Sequence, residues 1–142
     1  MTTKVFSIPP GVYCVPATIC ALTGLDLTGQ IMPAIAKAEQ NESLLGVAAG
    51  VYIRDFERAM GYLGYSIHVH KTAGSDNKQL RTWAGLSAEK YPGKRLAVST
   101  RGHMMALVDG KVYDTFTPYG EIGAKHPYAR DIVKYVSLIE RK

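Results

Sequence analysis

No apolar run in this sequence reaches the roughly 18 residues that a membrane span needs. The opening MTTKVFSIPPG also lacks the apolar core of a secretory signal, so no membrane partner is expected and the cytoplasm is the expected location. Cysteine is scarce, and the two present, Cys14 and Cys20, are too few to staple a fold with disulfides. On one helix their backbones would stand about 9 Å apart, from a rise of about 1.5 Å per residue, too far to bridge. Two free thiols are expected. There is a single tryptophan, Trp83, and the tyrosines are spread along the chain, which fits core and rim positions better than a base-stacking platform. Runs of one charge are missing too. The net charge of +5 leaves an acidic partner open, but Lys4, Lys37, Arg54, Arg81, Lys94 and Lys125 are scattered and only the final ERK is dense. That pattern reads as a solvated surface and argues against nucleic acid as the partner. No repeat, low-complexity tract or Ser/Gly-rich linker divides the chain. With 142 residues, 46% of them hydrophobic, one domain over 1–142 with a proper core is expected.

The pattern along the chain predicts helices first and strands later. A first helix is predicted over Cys14 to Thr23, because Pro16 is tolerated in a first turn and Gly24 suits the position just past the end. DLTGQIMPAIAKAEQ predicts a second, with Asp26 or Thr28 as N-cap and Pro33 starting, kinking or dividing it. In VYIRDFERAMGYLG, Ile53, Phe56, Met60 and Leu63 recur at helical spacing before Gly64. YSIHVH alternates as a strand does, with Tyr65, Ile67 and Val69 on one face and Ser66, His68 and His70 on the other. A further helix is predicted over Asn77 to Lys90, then strands in RLAVST, HMMALVD, KVYDTFT and IVKYVSLIE. The fold class expected is α+β with an antiparallel sheet.

One hairpin fixes more than its own shape. In ALVDGKVYD, Asp109-Gly110 is a preferred two-residue type I′ turn, which pairs Val108 with Lys111, Leu107 with Val112, Met105 with Asp114 and His103 with Phe116. Alternation then places His103 and Asp114 on one face as diagonal cross-strand neighbours, within reach of an imidazole–carboxylate contact. Asp109 lies in the turn at the far end and is excluded as the partner.

Thiol catalysis requires a thiolate, an imidazole that shares its proton and a group that holds the imidazole in the right tautomer. Cys14 sits at a predicted helix N-terminus, where unpaired N–H groups and the helix dipole favour a thiolate. His103 is the candidate base and Asp114 its orienter. Cys20, in mid-helix between Ile19 and Ala21, reads as packing. His68 and His70 share a face, but no carboxylate or cysteine stands near them and the Cys14–Cys20 spacing is not that of a zinc site. No metal and no cofactor is expected. His126, in AKHPYAR, reads as a loop residue.

YCVPATICALTG and RGHMMALVDGKVYDTFTP together resemble the active-site blocks of the papain-like cysteine peptidase superfamily, nearest to the peptidase domains that trim double-glycine leaders from bacteriocins. There a Cys-x-Pro-Ala segment opens the central helix, a histidine begins a core strand and an Asp-x-Pro-like segment follows on the next. The matching residues are Cys14, Pro16 and Ala17, then His103, then Asp114 with Pro118. The resemblance implies a papain-like fold, with N-terminal helices packed on a C-terminal antiparallel sheet. It implies Cys14 as nucleophile, His103 as general base and acid, and Asp114 as orienting residue, acting on a protein or peptide substrate. The backbone N–H of Cys14 would supply one arm of the oxyanion hole. The family's second arm is a glutamine about six residues before the cysteine; here Ile8 stands there, with Ser7 beside it. Loss of one such donor typically costs about 10²–10³ in rate. The same triad also serves acyl transfer and glutamine deamidation, and the scaffold without a working site would be a protein-binding module. SLLGVAAG and TPYGEIGAKHPYAR are expected as loops that border the cleft.

Overall fold

The computed structural model describes residues 3–40, 53–71, 77–100 and 102–142. Helix α1 (Cys14–Thr23) has the predicted bounds. Its first internal hydrogen bond runs from the N–H of Ala17 to the carbonyl of Tyr13 at 3.0 Å, so Pro16 lies among the positions whose N–H is not needed. Gly24 ends the helix at φ 70°, its N–H donating to the Cys20 carbonyl at 2.9 Å. The Phe6 ring occupies the space a Cβ at Gly24 would take, so only glycine suits the position. Every residue of α1 after Cys14 is buried. The helix is a central core element with its first residue left at the surface.

The second predicted helix is divided. One π-helical turn (Leu27–Ile31) leads into α2 (Met32–Ala38), with Pro33 in the first turn of α2. Asp26, rather than Thr28, is the cap. Its carboxylate accepts the Gly29 N–H at 2.6 Å while the Gln30 side chain accepts the Asp26 N–H at 3.0 Å, a reciprocal arrangement that satisfies the free amides of the turn. SLLGVAAG lies outside the described residues. Helix α3 (Ile53–Tyr62) buries Phe56 and Met60, and Gly64 follows at φ 91°.

The rest comprises β1 (Tyr65–Lys71), α4 (Leu80–Glu89), β2 (Arg95–Ser99), β3 (Met104–Val108), β4 (Lys111–Tyr113), β5 (Glu121–Ile122) and β6 (Tyr135–Arg141). The six strands form one antiparallel sheet in the order β1-β6-β2-β3-β4-β5. With four helices, this is an α+β architecture.

Helix α4 falls between β1 and β2, where a helix over Asn77 to Lys90 is predicted, whereas the short strand β5 lies in a segment expected as a loop. Helix α4 also covers the opposite face of the sheet. Ala97, Met104, Ala106 and Val108 pack with α1, α2 and α3, whereas Leu96, Val98, Met105, Leu107 and Val112 pack with Leu80, Trp83 and Ala84 of α4. Successive residues point to opposite faces, so a strand covered on both sides is buried throughout, as β3 is. That is why MMALV shows no polar alternation. Small residues, Ala97 and Ala106 of the sheet and Ala21 of α1, share the core on the α1 side and are all buried. Among the described residues no single helix is long and apolar enough to cross a membrane.

Candidate active site

Cys14 is the first residue of α1, half-buried and free. Its sulfur accepts the N–H groups of Met104, at the start of β3, and of Val15, in the first helical turn, and it shares a hydrogen bond with the imidazole of His103. His103 is placed by a tight β2–β3 connection: its carbonyl accepts the N–H of Thr100 at 2.9 Å, and Gly102 supplies a φ of 69°. The imidazole thus stands just before β3, where that strand passes the N-terminus of α1.

The Asp109-Gly110 turn has φ 49° and 86°, the two positive values a type I′ turn requires. Val108 pairs with Lys111, Leu107 with Val112 and Ala106 with Tyr113, in the predicted register. The ladder stops there. The expected Met105/Asp114 and His103/Phe116 pairs do not form, because the Asp114 carboxylate bends the following chain onto itself. Its Oδ1 accepts the N–H of Phe116 at 3.0 Å, the N–H of Thr117 at 2.8 Å and the Thr117 hydroxyl at 2.8 Å. An aspartate that captures amides two and three residues on competes with a strand ladder and ends it. Its Oδ2 is left facing inward, and it accepts His103 Nε2 at 2.9 Å. Cys14, His103 and Asp114 therefore meet in one hydrogen-bonded chain, with Nε2 of His103 on the carboxylate and Nδ1 left for the thiol.

A fourth residue, which the sequence reading left in a loop, belongs to this cluster. Nε2 of His126 also lies 2.9 Å from Asp114 Oδ2, and both side chains are fully buried. Nδ1 of His126 accepts the N–H of Tyr128 at 3.0 Å, so it carries no proton and Nε2 is the nitrogen that donates. Nothing local in AKHPYAR announces this. The residue is brought in by the turn-rich segment after β5, which packs on the α4 side of the sheet.

The electrostatics follow from these contacts. Burial would push Asp114 up, but hydrogen bonds from His103, His126 and Thr117 outweigh it and hold the carboxyl far below the usual carboxylate range. Burial would lower His103; its hydrogen bonds to Asp114 and Cys14, and their charges, instead raise it to about 9. Burial would raise Cys14, yet the contact with His103, the Met104 N–H, the imidazolium charge and the Val15 N–H bring it below the ordinary 9.0. The two shifts run in opposite directions, the thiol down and the imidazole up, and both favour the thiolate–imidazolium form of the pair. Cys20 behaves oppositely: burial, then the charge of Asp26, raises its thiol. It packs within the α1 core.

Two aromatic rings close over the imidazole. Phe116 and Tyr128 lie with centroids 5.6 and 5.2 Å from His103 and 5.9 Å from each other. Tyr128 is half-buried, while Phe116 is 60% exposed and forms the outer wall. Upstream of Cys14, Ile8 has no side-chain donor and packs on the core, and Ser7 is exposed. Val5, Phe6, Ser7 and Ile8, with Tyr113, Pro118 and Tyr119, line a cavity of about 370 Å³. Among the described residues no group of three or more His, Cys, Asp or Glu side chains is arranged to hold a metal ion. His68 lies exposed on β1. No protein-family model and no curated protein matches the chain, so the chemistry of this site rests on its own geometry.

Proposed function

We propose that this protein is a cysteine hydrolase of the papain-like kind, cleaving an amide or isopeptide bond in a protein or peptide substrate. The observation that carries the reading is the unbroken chain from the Cys14 sulfur through His103 to Asp114, with Nε2 of His103 2.9 Å from a buried carboxylate. Cys14 thiolate attacks the carbonyl carbon and the carbonyl electrons move onto oxygen. The backbone N–H of Cys14, unpaired within the helix, stabilises that oxyanion. The imidazolium gives its Nδ1 proton to the leaving nitrogen, the C–N bond breaks, and a thioester remains. Neutral His103 then takes a proton from water, the hydroxide adds to the thioester, and the thiolate leaves, restoring the ion pair. Throughout, Asp114 holds the Nε2–H tautomer and stays ionised.

With an amine as acceptor the same steps give acyl transfer, and with a glutamine side chain they release ammonia. Ile8 at the position of the family's glutamine favours one reading of another class, a module that grips a protein without cleaving it. Iodoacetamide labelling and Cys14→Ala separate these. In the enzyme, Cys14 labels ahead of Cys20 at pH 7, and Cys14→Ala abolishes turnover of a proteome-derived peptide library read by mass spectrometry. Preferential labelling of Cys20, or a Cys14 no faster than a free thiol, defeats the enzyme reading.

A further inference from the structure

The Asp114 carboxylate is held unequally at its two oxygens. Three donors from its own turn fix Oδ1, and they act whatever the state of the site. Oδ2 has two donors, His103 and His126, both at 2.9 Å. One of these, His103, is the group that must gain and lose a proton during turnover and reorient between thiol and leaving group. It cannot be the fixed point for the carboxylate that orients it. His126 can: its side chain is fully buried, its second nitrogen is occupied by the N–H of Tyr128 at 3.0 Å, and it has no path to the substrate. We propose that His126 is a positioning residue, a permanent donor that pins Oδ2 of Asp114 so that His103 always finds the acceptor in one place.

This inference rests on the Cys14–His103–Asp114 reading and adds a fourth member to it. The titratable groups that hydrogen-bond Asp114 are the two histidines, with the titratable Tyr128 ring 5.2 and 5.6 Å from their centroids. No other ionisable side chain is needed to account for the behaviour expected. Sharing one oxygen between two imidazoles has a further consequence. With His126 in place the carboxylate has no freedom to swing toward a different lone pair, and the Nδ1 proton of His103 is aimed steadily at the sulfur.

The two nitrogens of His126 have separate duties, and two amide side chains separate them. Asparagine places its oxygen near the position of Nδ1, so His126→Asn keeps an acceptor for the Tyr128 N–H but falls short of Asp114. Glutamine places its amide nitrogen near the position of Nε2, so His126→Gln keeps the donor to Asp114. The readout is the rate of Cys14 alkylation by iodoacetamide as a function of pH, followed by mass spectrometry on protein shown to be folded by its thermal transition. In this reaction the thiolate displaces iodide and forms a thioether, so no substrate needs to be known.

Wild type should show an acid limb below that of an ordinary thiol. His126→Asn should move the limb up by about one pH unit, a tenfold loss of thiolate on the acid side, while His126→Gln leaves it in place. Equal limbs in the wild type and His126→Asn, or a His126→Gln limb displaced as far as that of His126→Asn, overturn the positioning role and leave the triad standing. A wild-type limb at the ordinary thiol position overturns the triad itself. Should a variant not fold, nitrogen-15 NMR of the wild type decides: His126 must be the Nε2–H tautomer, and an Nδ1–H tautomer refutes the assignment.

Discussion

Replacing Asp114 by asparagine tests both halves of the site at once. The oxygen of the amide can stay with the Phe116 and Thr117 amides, as Oδ1 does now, which puts the NH2 group where Oδ2 accepted two imidazole N–H bonds at 2.9 Å. Donors then face donors. His103 can escape by taking the other tautomer and accepting at Nε2; His126 cannot, because its Nδ1 is already the acceptor for Tyr128. One charged hydrogen bond is lost outright and another becomes neutral, and each hydrogen bond to a buried carboxylate contributes about 1.5–3 kcal/mol. Net destabilisation of about 2–4 kcal/mol is expected, with no relief from solvent because Asp114 is fully buried. For a chain of this length that lowers the melting temperature by about 6–12 °C. The escape of His103 carries its own penalty, since Nδ1 now bears the proton and cannot take one from the thiol. Triads altered this way lose about 10⁴ in rate. Thermal and urea unfolding at pH 7, with Cys14 alkylation on the same samples, measure both. A variant within about 0.5 kcal/mol of wild type and with unchanged Cys14 reactivity would refute the hydrogen-bond assignment.

Two further perturbations address the ion pair and its support. His103 has its pKa raised by folding from 6.5 to about 9, so its contribution to stability is whole below pH 6.5 and is lost as pH rises through about 9. In the wild type the lowered pKa of Cys14 offsets part of that loss. In Cys14→Ala, where Asp114 still raises His103, the unfolding free energy should fall as pH rises from 6.5 toward 9, and a flat urea-midpoint series over that window would contradict the His103–Asp114 contact. Ala106→Leu inserts three carbons beneath α1 at a fully buried position, at a cost of about 1–3 kcal/mol, and should also slow Cys14 alkylation by lifting the helix start away from His103. Unfolding and labelling rates check it; normal reactivity in a destabilised variant would mean that α1 relaxes elsewhere.

Much of this was legible locally. Pro16 and Gly24 mark the ends of α1 because each acts through its own backbone, one by lacking an N–H and the other by tolerating φ 70°. Asp109-Gly110 sets the register for the same reason, and the register brings His103 and Asp114 near each other. Where the reading stopped short, a side chain competed with the backbone or a contact came from far along the chain. Asp114 ends β4 early by capturing the amides of Phe116 and Thr117, a competition that the spacing from Asp114 to Thr117 could have signalled. The placement of α4 on the far face had no such signal, since helical periodicity shows which side of a helix is apolar and not which side of a sheet it meets. His126 was the least visible of all. Its partner stands twelve residues earlier in the chain, and its burial is decided by the packing of Tyr128 beside α4.

Strand β3 is the wall between two cores, with Met104, Ala106 and Val108 turned toward one and Met105 and Leu107 toward the other. Cys14 is mounted on the first of these, while Tyr128, whose N–H bonds His126, leans on the second. The Cys14–His103 pair is therefore a joint between two separately packed clusters, and its alignment depends on both at once. A packing defect on either side, even one remote from the sulfur, should register as a change in the reactivity of a single thiol, which makes Cys14 a built-in strain gauge for the whole molecule.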